Sequence, residues 1–291
     1  MVPSLFDRLV AGDHVCNVYD DEEQRLTTIA RFVRAGVGGG NRVVHFSVGS
    51  PEQVVDELVT QGVDARALCE TGALQVYAAG NTYLASGSFD PEAAVDGWRR
   101  ALAEALDAGY TGLWALGDMA WAASEIPGVE RLHWYEAEAN RVFSGGQALA
   151  LCLYDRRTMP PEALDRISAA HPSRLGPGPD ESWVPLLRMW RTAVPPGLAL
   201  AGEVDASNRE ALAATLAGLR EDLPDARGPL TVDLSELRFA DAAVARLLIE
   251  GHRALPGGIR VVGCPPQVAR LLRVSGGEEI LGAVDRAEVT A

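Results

Sequence analysis

Two kinds of apolar pattern alternate along the first part of this chain. Short, near-continuous apolar runs recur at "HVCNVY" (14–19), "RVVHFSV" (42–48), "ALQVYAA" (73–79), "GLWALGDM" (112–119) and "ALALCLYD" (148–155). Longer segments between them place apolar residues at helical spacing. In 21–37, Leu26, Ile29, Phe32 and Val33 share one face, and Gly36 and Gly38 read as the stop. Ser50 before Pro51, and Asp90 before Pro91, are the N-cap and first-turn signature of two further helices. The first of these stops at Gly62 and the second runs to about residue 110; 129–143 is also helical. Strands apolar on both faces, alternating with helices, predict an α/β domain with a mainly parallel sheet covered on both sides.

The pattern breaks at "HPSRLGPGPDESWVP" (171–185), rich in Pro, Gly and Ser and without periodicity, which reads as a linker or long surface loop. It then restarts on a smaller scale. Strands are expected at 197–204, 228–237 and 258–264. Helices should start near Asp205 or Ser207, at Asp241, and at Pro265, the last stopped by Gly276-Gly277. The chain has 291 residues, more than the roughly 250 that one core supports, so the expected division is 8–172, a linker at 173–183, and a second domain at 184–290.

Composition narrows the function. The net charge of −14 argues against a nucleic-acid partner, which needs a basic face, and against an anionic membrane surface. No apolar run approaches the length of a membrane span, and the first residues lack a signal-peptide pattern. Cys16, Cys69, Cys152 and Cys264 are scattered and form no C-x-x-C pair. Reduced thiols in a cytoplasmic protein are the expectation.

In the second domain, "LSELRFADAAVARLL" (234–248) reads as a buried strand entering a helix capped by Asp241. A helix N-terminus suits a phosphorylated hydroxyl, yet Ala242 and Ala243 follow the cap. This stretch, with "LALAGEVDASNREAL", resembles the STAS family of anti-sigma-factor antagonists. In that family a Ser or Thr after the Asp, followed by Gly, is phosphorylated by a histidine-kinase-like ATPase, which releases the partner. The resemblance implies partner-binding positions at Asp205, Asp241, Ala242, Ala243 and Val244, and an anti-sigma factor or related ATPase as partner. Alanine cannot accept a phosphoryl group, so control by phosphorylation of this loop is excluded. Val244 in place of Gly is expected to crowd the contact surface. Alternatively, the two alanines are simply good first-turn helix formers.

In the first domain, the spacing of "GDHVCNVYDDEEQRLTTIARF" and "GNRVVHFSVGSPEQV" resembles the opening of RecA-like ATPases of the clock-protein type. The place of the phosphate-binding loop holds "YDDEEQRLT". Four consecutive carboxylates, Asp20 to Glu23, repel a triphosphate, so the loop is degenerate. Asp118 falls where such folds place a magnesium-linked acid. The "GDHVCNVY" opening, "LCLYDRRTMPPEAL" and the "HP" at 171–172 resemble more closely the MEDS sensory domain of methanogens and methylotrophs. That resemblance implies a RecA-like sensor of small hydrocarbon-derived ligands and no established reaction.

His14, Cys16 and Tyr19 are the chemically distinctive group. His14 and Cys16 share a strand face and Tyr19 faces the other side, unless the strand ends at residue 17. Ligand crevices of open α/β sheets lie at the carboxyl ends of strands, which places His14, Cys16, Tyr19, Asp118, Trp121 and Tyr154 in the expected ligand site. Trp134 and Tyr135 could add to its apolar lining. Three readings of His14 and Cys16 stay open: buried core residues, polar contacts of a ligand pocket, or metal and thiolate chemistry. The last needs further ligands, for which only Cys152 and His171 offer themselves. The reading taken is a signalling regulator with no catalytic residues, metal or cofactor. The alternatives are an enzyme using His14, Cys16 and Asp118, and a scaffold that senses nothing.

Overall fold

The computed structural model of the chain describes residues 5–175 and 185–281. The first domain is a six-stranded sheet of β1 (His14–Tyr19), β2 (Arg42–Ser47), β3 (Leu74–Ala78), β4 (Leu113–Asp118), β5 (Ala148–Asp155) and β6 (Ser173–Leu175). Their order is β3-β2-β4-β5-β1-β6, and every pairing is parallel. The short edge strand β6 lies inside the stretch expected to be a linker. Ser173 is buried beside β1, and positions 176–183 of that stretch lie outside the described residues.

Period-two alternation sorts the strand residues into two apolar layers. Val15, Leu116, Leu151 and Tyr19 face α1 (Glu22–Gly38), α2 (Pro51–Thr60) and α3 (Ala65–Glu70). Cys16, Ala115, Cys152 and Tyr154 face α4 (Pro91–Asp107), α5 (Leu132–Phe143) and α6 (Pro161–Ala169). The caps read from sequence at Ser50 and Asp90 are made, accepting from the N–H groups of Gln53 and Ala93; Asp21 caps α1 in the same way, accepting from Gln24. Gly36 does not stop its helix. A Cβ there would sit 2.7 Å from Val43 Cγ2, so its bare Cα lets α1 approach β2.

The second domain has the sheet order β10-β9-β8-β7, from β7 (Leu187–Ala193), β8 (Pro196–Val204), β9 (Leu230–Ala240) and β10 (Ile259–Val262). β7 and β8 are antiparallel; β8, β9 and β10 run parallel. The helices α7 (Arg209–Ala217), α8 (Leu219–Asp222), α9 (Ala242–Ala254) and α10 (Pro266–Val274) complete one apolar core with the sheet. Helix α5 joins the two domains: it packs on α7, and its Arg141 pairs with Asp222 and Glu221 of α8. Among the described residues no helix is long and apolar enough to cross a membrane.

Candidate functional site

The six residues expected to share a ligand site fall in four places. β1 continues through Tyr19, so Tyr19 does not turn back; it packs in the opposite layer from His14 and Cys16. Asp118, at the carboxyl end of β4, also faces that opposite layer, where Arg25 of α1 is buried against it. Arg25 Nη1 donates to Asp118 Oδ2 at 3.1 Å, and the same guanidinium reaches Glu22 at 2.8 Å and Glu57 at 3.3 Å. An internal cation thus sits at the carboxyl end of β4, held by three carboxylates. Trp121 lies in the aromatic layer with its ring 5.9 Å from that of Tyr83.

His14 and Tyr154 belong to a closed polar cluster between the sheet and α5, with Tyr154 next to the carboxyl end of β5 and His14 at the start of β1. His14 opens β1, Cys152 lies on β5, Glu136 on α5, and His171 just before β6. All four are buried, with Glu136 at 0% and His171 at 1% exposure. Glu136 Oε2 is 3.3 Å from His14 Nε2 and 3.3 Å from His171 Nε2. Cys152 Sγ is 3.4 Å from His14 Nε2 and 3.6 Å from Glu136 Oε2. The Tyr154 hydroxyl donates to Glu136 Oε1. Among the described residues this group has the donor types and spacing to hold a metal ion.

Both imidazoles are held from behind. His14 Nδ1 meets Asn140 Oδ1 at 3.0 Å, and His171 Nδ1 meets the Ile167 carbonyl at 2.8 Å. Asn140 Nδ2 points at the carbonyls of Glu136, Ala137 and Ala170, which fixes its amide orientation. Burial, with His171 beside it, lowers the His14 pKa and favours the neutral ring. Burial also pushes the Cys152 thiol up, reinforced by the Glu136 charge. Cys16 stays outside the cluster: its thiol meets Ser168 Oγ at 3.8 Å and is pushed up to about 12 by burial. Glu136 and Asn140 were not legible as site residues, since each looks like one more polar residue on an amphipathic helix.

A separate cleft of about 460 Å³ opens between the end of β2, the 82–90 segment and α4, within the range of small-molecule sites. Phe46, Tyr83 and Trp98 line it; none of the six expected ligand residues does. Trp98 Nε1 donates to the Tyr135 hydroxyl at 2.6 Å, and Tyr83 and Tyr135 hydroxyls meet at 3.2 Å. The cleft wall is therefore bonded to α5, one residue from Glu136.

On the second domain, the two loops expected to bind a partner lie side by side. Val204 pairs with Ala240, and the Asp241 N–H donates to the Val204 carbonyl at 3.4 Å. Asp241 caps α9 by accepting from Val244 N at 2.9 Å, with Ala242 exposed and Ala243 half-buried. The expectation for Val244 needs correction. Its side chain is fully buried in the core of this domain and crowds no surface. The fourth residue after the strand turns inward once the helix has begun. Val244→Ala should therefore lower the unfolding free energy by about 1–3 kcal/mol through a core cavity. Ala242→Ser should stay within about 0.5 kcal/mol, both read by urea denaturation.

Asn208, absent from the expected site, ties these loops to the first domain. Its Nδ2 donates to the Pro172 carbonyl at 3.3 Å and to the Glu203 carbonyl at 2.9 Å; its Oδ1 accepts from Asp205 N at 3.1 Å. Pro172 directly follows His171.

Comparison with known proteins agrees with this organisation. Residues 13–172 match the family model described as MEDS, the MEthanogen/methylotroph, DcmR Sensory domain, and residues 188–282 match "Mlab, STAS domain". No curated protein matches significantly in sequence. Among solved structures, similarity is found to the flagellar accessory protein FlaH of Methanocaldococcus jannaschii, at 9% identity and TM-score 0.42, over 72% of this chain and 84% of that one. A KaiC-like protein of Pyrococcus horikoshii OT3 gives 12% identity and TM-score 0.41, over 65% and 78%. The first family model spans more than half of the chain, and the chain belongs to the MEDS family, its sensory domain followed by a STAS domain.

Proposed function

We propose that this chain is a non-enzymatic signalling regulator. Its MEDS domain binds a small, largely apolar molecule, and its STAS domain docks on a protein of the anti-sigma-factor or histidine-kinase-like ATPase type. The first domain sets the state of the STAS loops, in place of phosphorylation after Asp241. The observation that supports this best is Asn208. Its side chain closes the Asp205 loop and at the same time holds the backbone of the first domain at Pro172. A displacement of the 171–172 segment cannot leave the Asp205 loop unchanged without breaking a buried hydrogen bond. The cleft lined by Tyr83 and Trp98 gives a place for the ligand, since its wall is bonded to α5. The absence of enzymatic activity is supported by the buried Cys16 thiol, far from thiolate at neutral pH.

The test uses the purified full chain, small neutral halogenated and oxygenated hydrocarbons, and the purified histidine-kinase-like ATPases of the source organism. A ligand that changes Trp98 fluorescence should change partner affinity about tenfold, which is about 1.4 kcal/mol of coupling. Asn208→Ala should keep the fluorescence response and lose the change in affinity. Equal partner affinity with and without ligand would instead make the chain a scaffold. Turnover that disappears in the His14→Ala, Cys16→Ala variant would make it an enzyme.

A further inference from the structure

We propose that His14, Glu136, Cys152 and His171 form a closed, four-ligand site for a divalent transition ion of the zinc class. The argument starts from the proton positions. The Ile167 carbonyl can only accept, so His171 carries its proton on Nδ1. Asn140 presents Oδ1 to His14, because its amide nitrogen is committed to three carbonyls, so His14 also carries its proton on Nδ1. In the neutral rings both Nε2 atoms then point lone pairs at the same place, where Glu136 Oε2 and Cys152 Sγ also point. Such back-side hydrogen bonds from histidine to a carbonyl or amide oxygen are the usual outer-shell arrangement around a bound metal.

Proton-only bonding satisfies this cluster poorly. His171 Nε2 is fully buried and makes no aligned hydrogen bond, although Glu136 Oε2 is 3.3 Å away. Protonating one ring pairs it with Glu136 but leaves the other ring's lone pair against the same oxygen. Protonating both leaves a net positive charge buried away from solvent, which low-dielectric surroundings disfavour. A divalent cation with one thiolate, one carboxylate and two neutral imidazoles sums to zero charge.

Four of the six ligand-atom separations agree with this arrangement as they stand, and the two between His171 and the His14 and Cys152 donors lie within 4.8 Å. Bonds of about 2.0–2.3 Å in a tetrahedron place neighbouring ligand atoms roughly 3.3–3.8 Å apart. The four separations given by His14, His171 and Cys152 with Glu136, and by Cys152 with His14, are 3.3, 3.3, 3.6 and 3.4 Å. The donor atoms all lie within 4.8 Å of one another. With four protein ligands no position stays open for water or substrate, which is the pattern of a structural or regulatory ion. Cys16, two residues from His14, takes no part, because its thiol is turned to Ser168.

The untagged full chain, stripped with a chelator and titrated with Zn²⁺, should bind one ion. X-ray absorption of that zinc form should show one sulfur at about 2.3 Å and three nitrogen or oxygen atoms at about 2.0–2.2 Å. With Co²⁺ the chain should show the thiolate-to-cobalt charge-transfer band and the intense visible bands of tetrahedral cobalt. Cys152→Ser should lose the charge-transfer band and Cys16→Ser should keep it. Asn140→Ala, which frees the back of His14, should weaken zinc binding about 10–100-fold. A chain that binds no zinc, a zinc shell without sulfur, or a cobalt band that survives Cys152→Ser would each overturn the proposal. Should Cys152→Ser fail to fold, X-ray absorption of the wild-type chain decides alone.

Discussion

Replacing Arg25 by alanine should destabilise the first domain by about 3–5 kcal/mol, the cost of leaving a buried carboxylate without its partner. Asp118 is 4% exposed, and besides Arg25 it accepts from the Ala120 N–H at 3.2 Å. Burial pushes its pKa up and Arg25 pulls it down. Burial is the stronger influence even with Arg25 in place and holds the Asp118 carboxyl above the usual range; removing Arg25 takes away the main opposing charge. The double variant Arg25→Ala, Asp118→Asn should be more stable than Arg25→Ala alone, since the amide carries no charge to strand. That non-additivity separates loss of an ion pair from loss of packing by the arginine stem. Urea denaturation of the wild type, the single variants Arg25→Ala and Asp118→Asn, and the double variant makes the measurement, and a double variant as unstable as the two single losses added would refute the account.

Asn140→Ala should destabilise the chain by about 2–6 kcal/mol, because two buried groups lose a partner at about 1–3 kcal/mol each. These are the Ala170 carbonyl, which accepts from Asn140 Nδ2 at 2.9 Å, and His14 Nδ1. Asn140 thereby holds α5 to the end of α6 and orients His14 from one position. Asn140→Asp should be worse than Asn140→Ala despite its better fit. A carboxylate oxygen would then face the three carbonyls that now accept from the amide nitrogen. The order of denaturation midpoints should be wild type, then Ala, then Asp. An aspartate variant as stable as wild type would show that the amide orientation is not fixed by those carbonyls.

Both predictions concern residues that draw no attention in the sequence. Arg25 follows four carboxylates at the start of a helix and reads as one more exposed charge. The sequence does show that those carboxylates forbid a triphosphate. Only the fold shows that Arg25 reaches in from α1 to pair with the buried Asp118. His14, Cys152 and His171 were each visible as metal-capable residues, but they lie more than a hundred positions apart in part and meet only because β1, β5 and β6 are neighbours. Their fourth member, Glu136, sits on a helix whose other face binds the STAS domain through Arg141.

What the sequence determined by itself was local. Period-two and period-3.6 apolar patterns, caps at Ser50, Asp90 and Asp241, and alanines where a phosphorylatable hydroxyl is expected all follow from neighbouring residues, so they were readable in order. The parity of a strand also sent Tyr19 away from His14 and Cys16. The tertiary structure alone decided which distant side chains converge and which surface positions are truly surface. It placed Val244 in the core, turned Cys16 to Ser168, and gathered two imidazoles, a thiol and a carboxyl beneath the sheet. The physical reason is that strand order, crossover and helix rotation depend on the burial of whole apolar faces, and no short stretch of sequence encodes that sum.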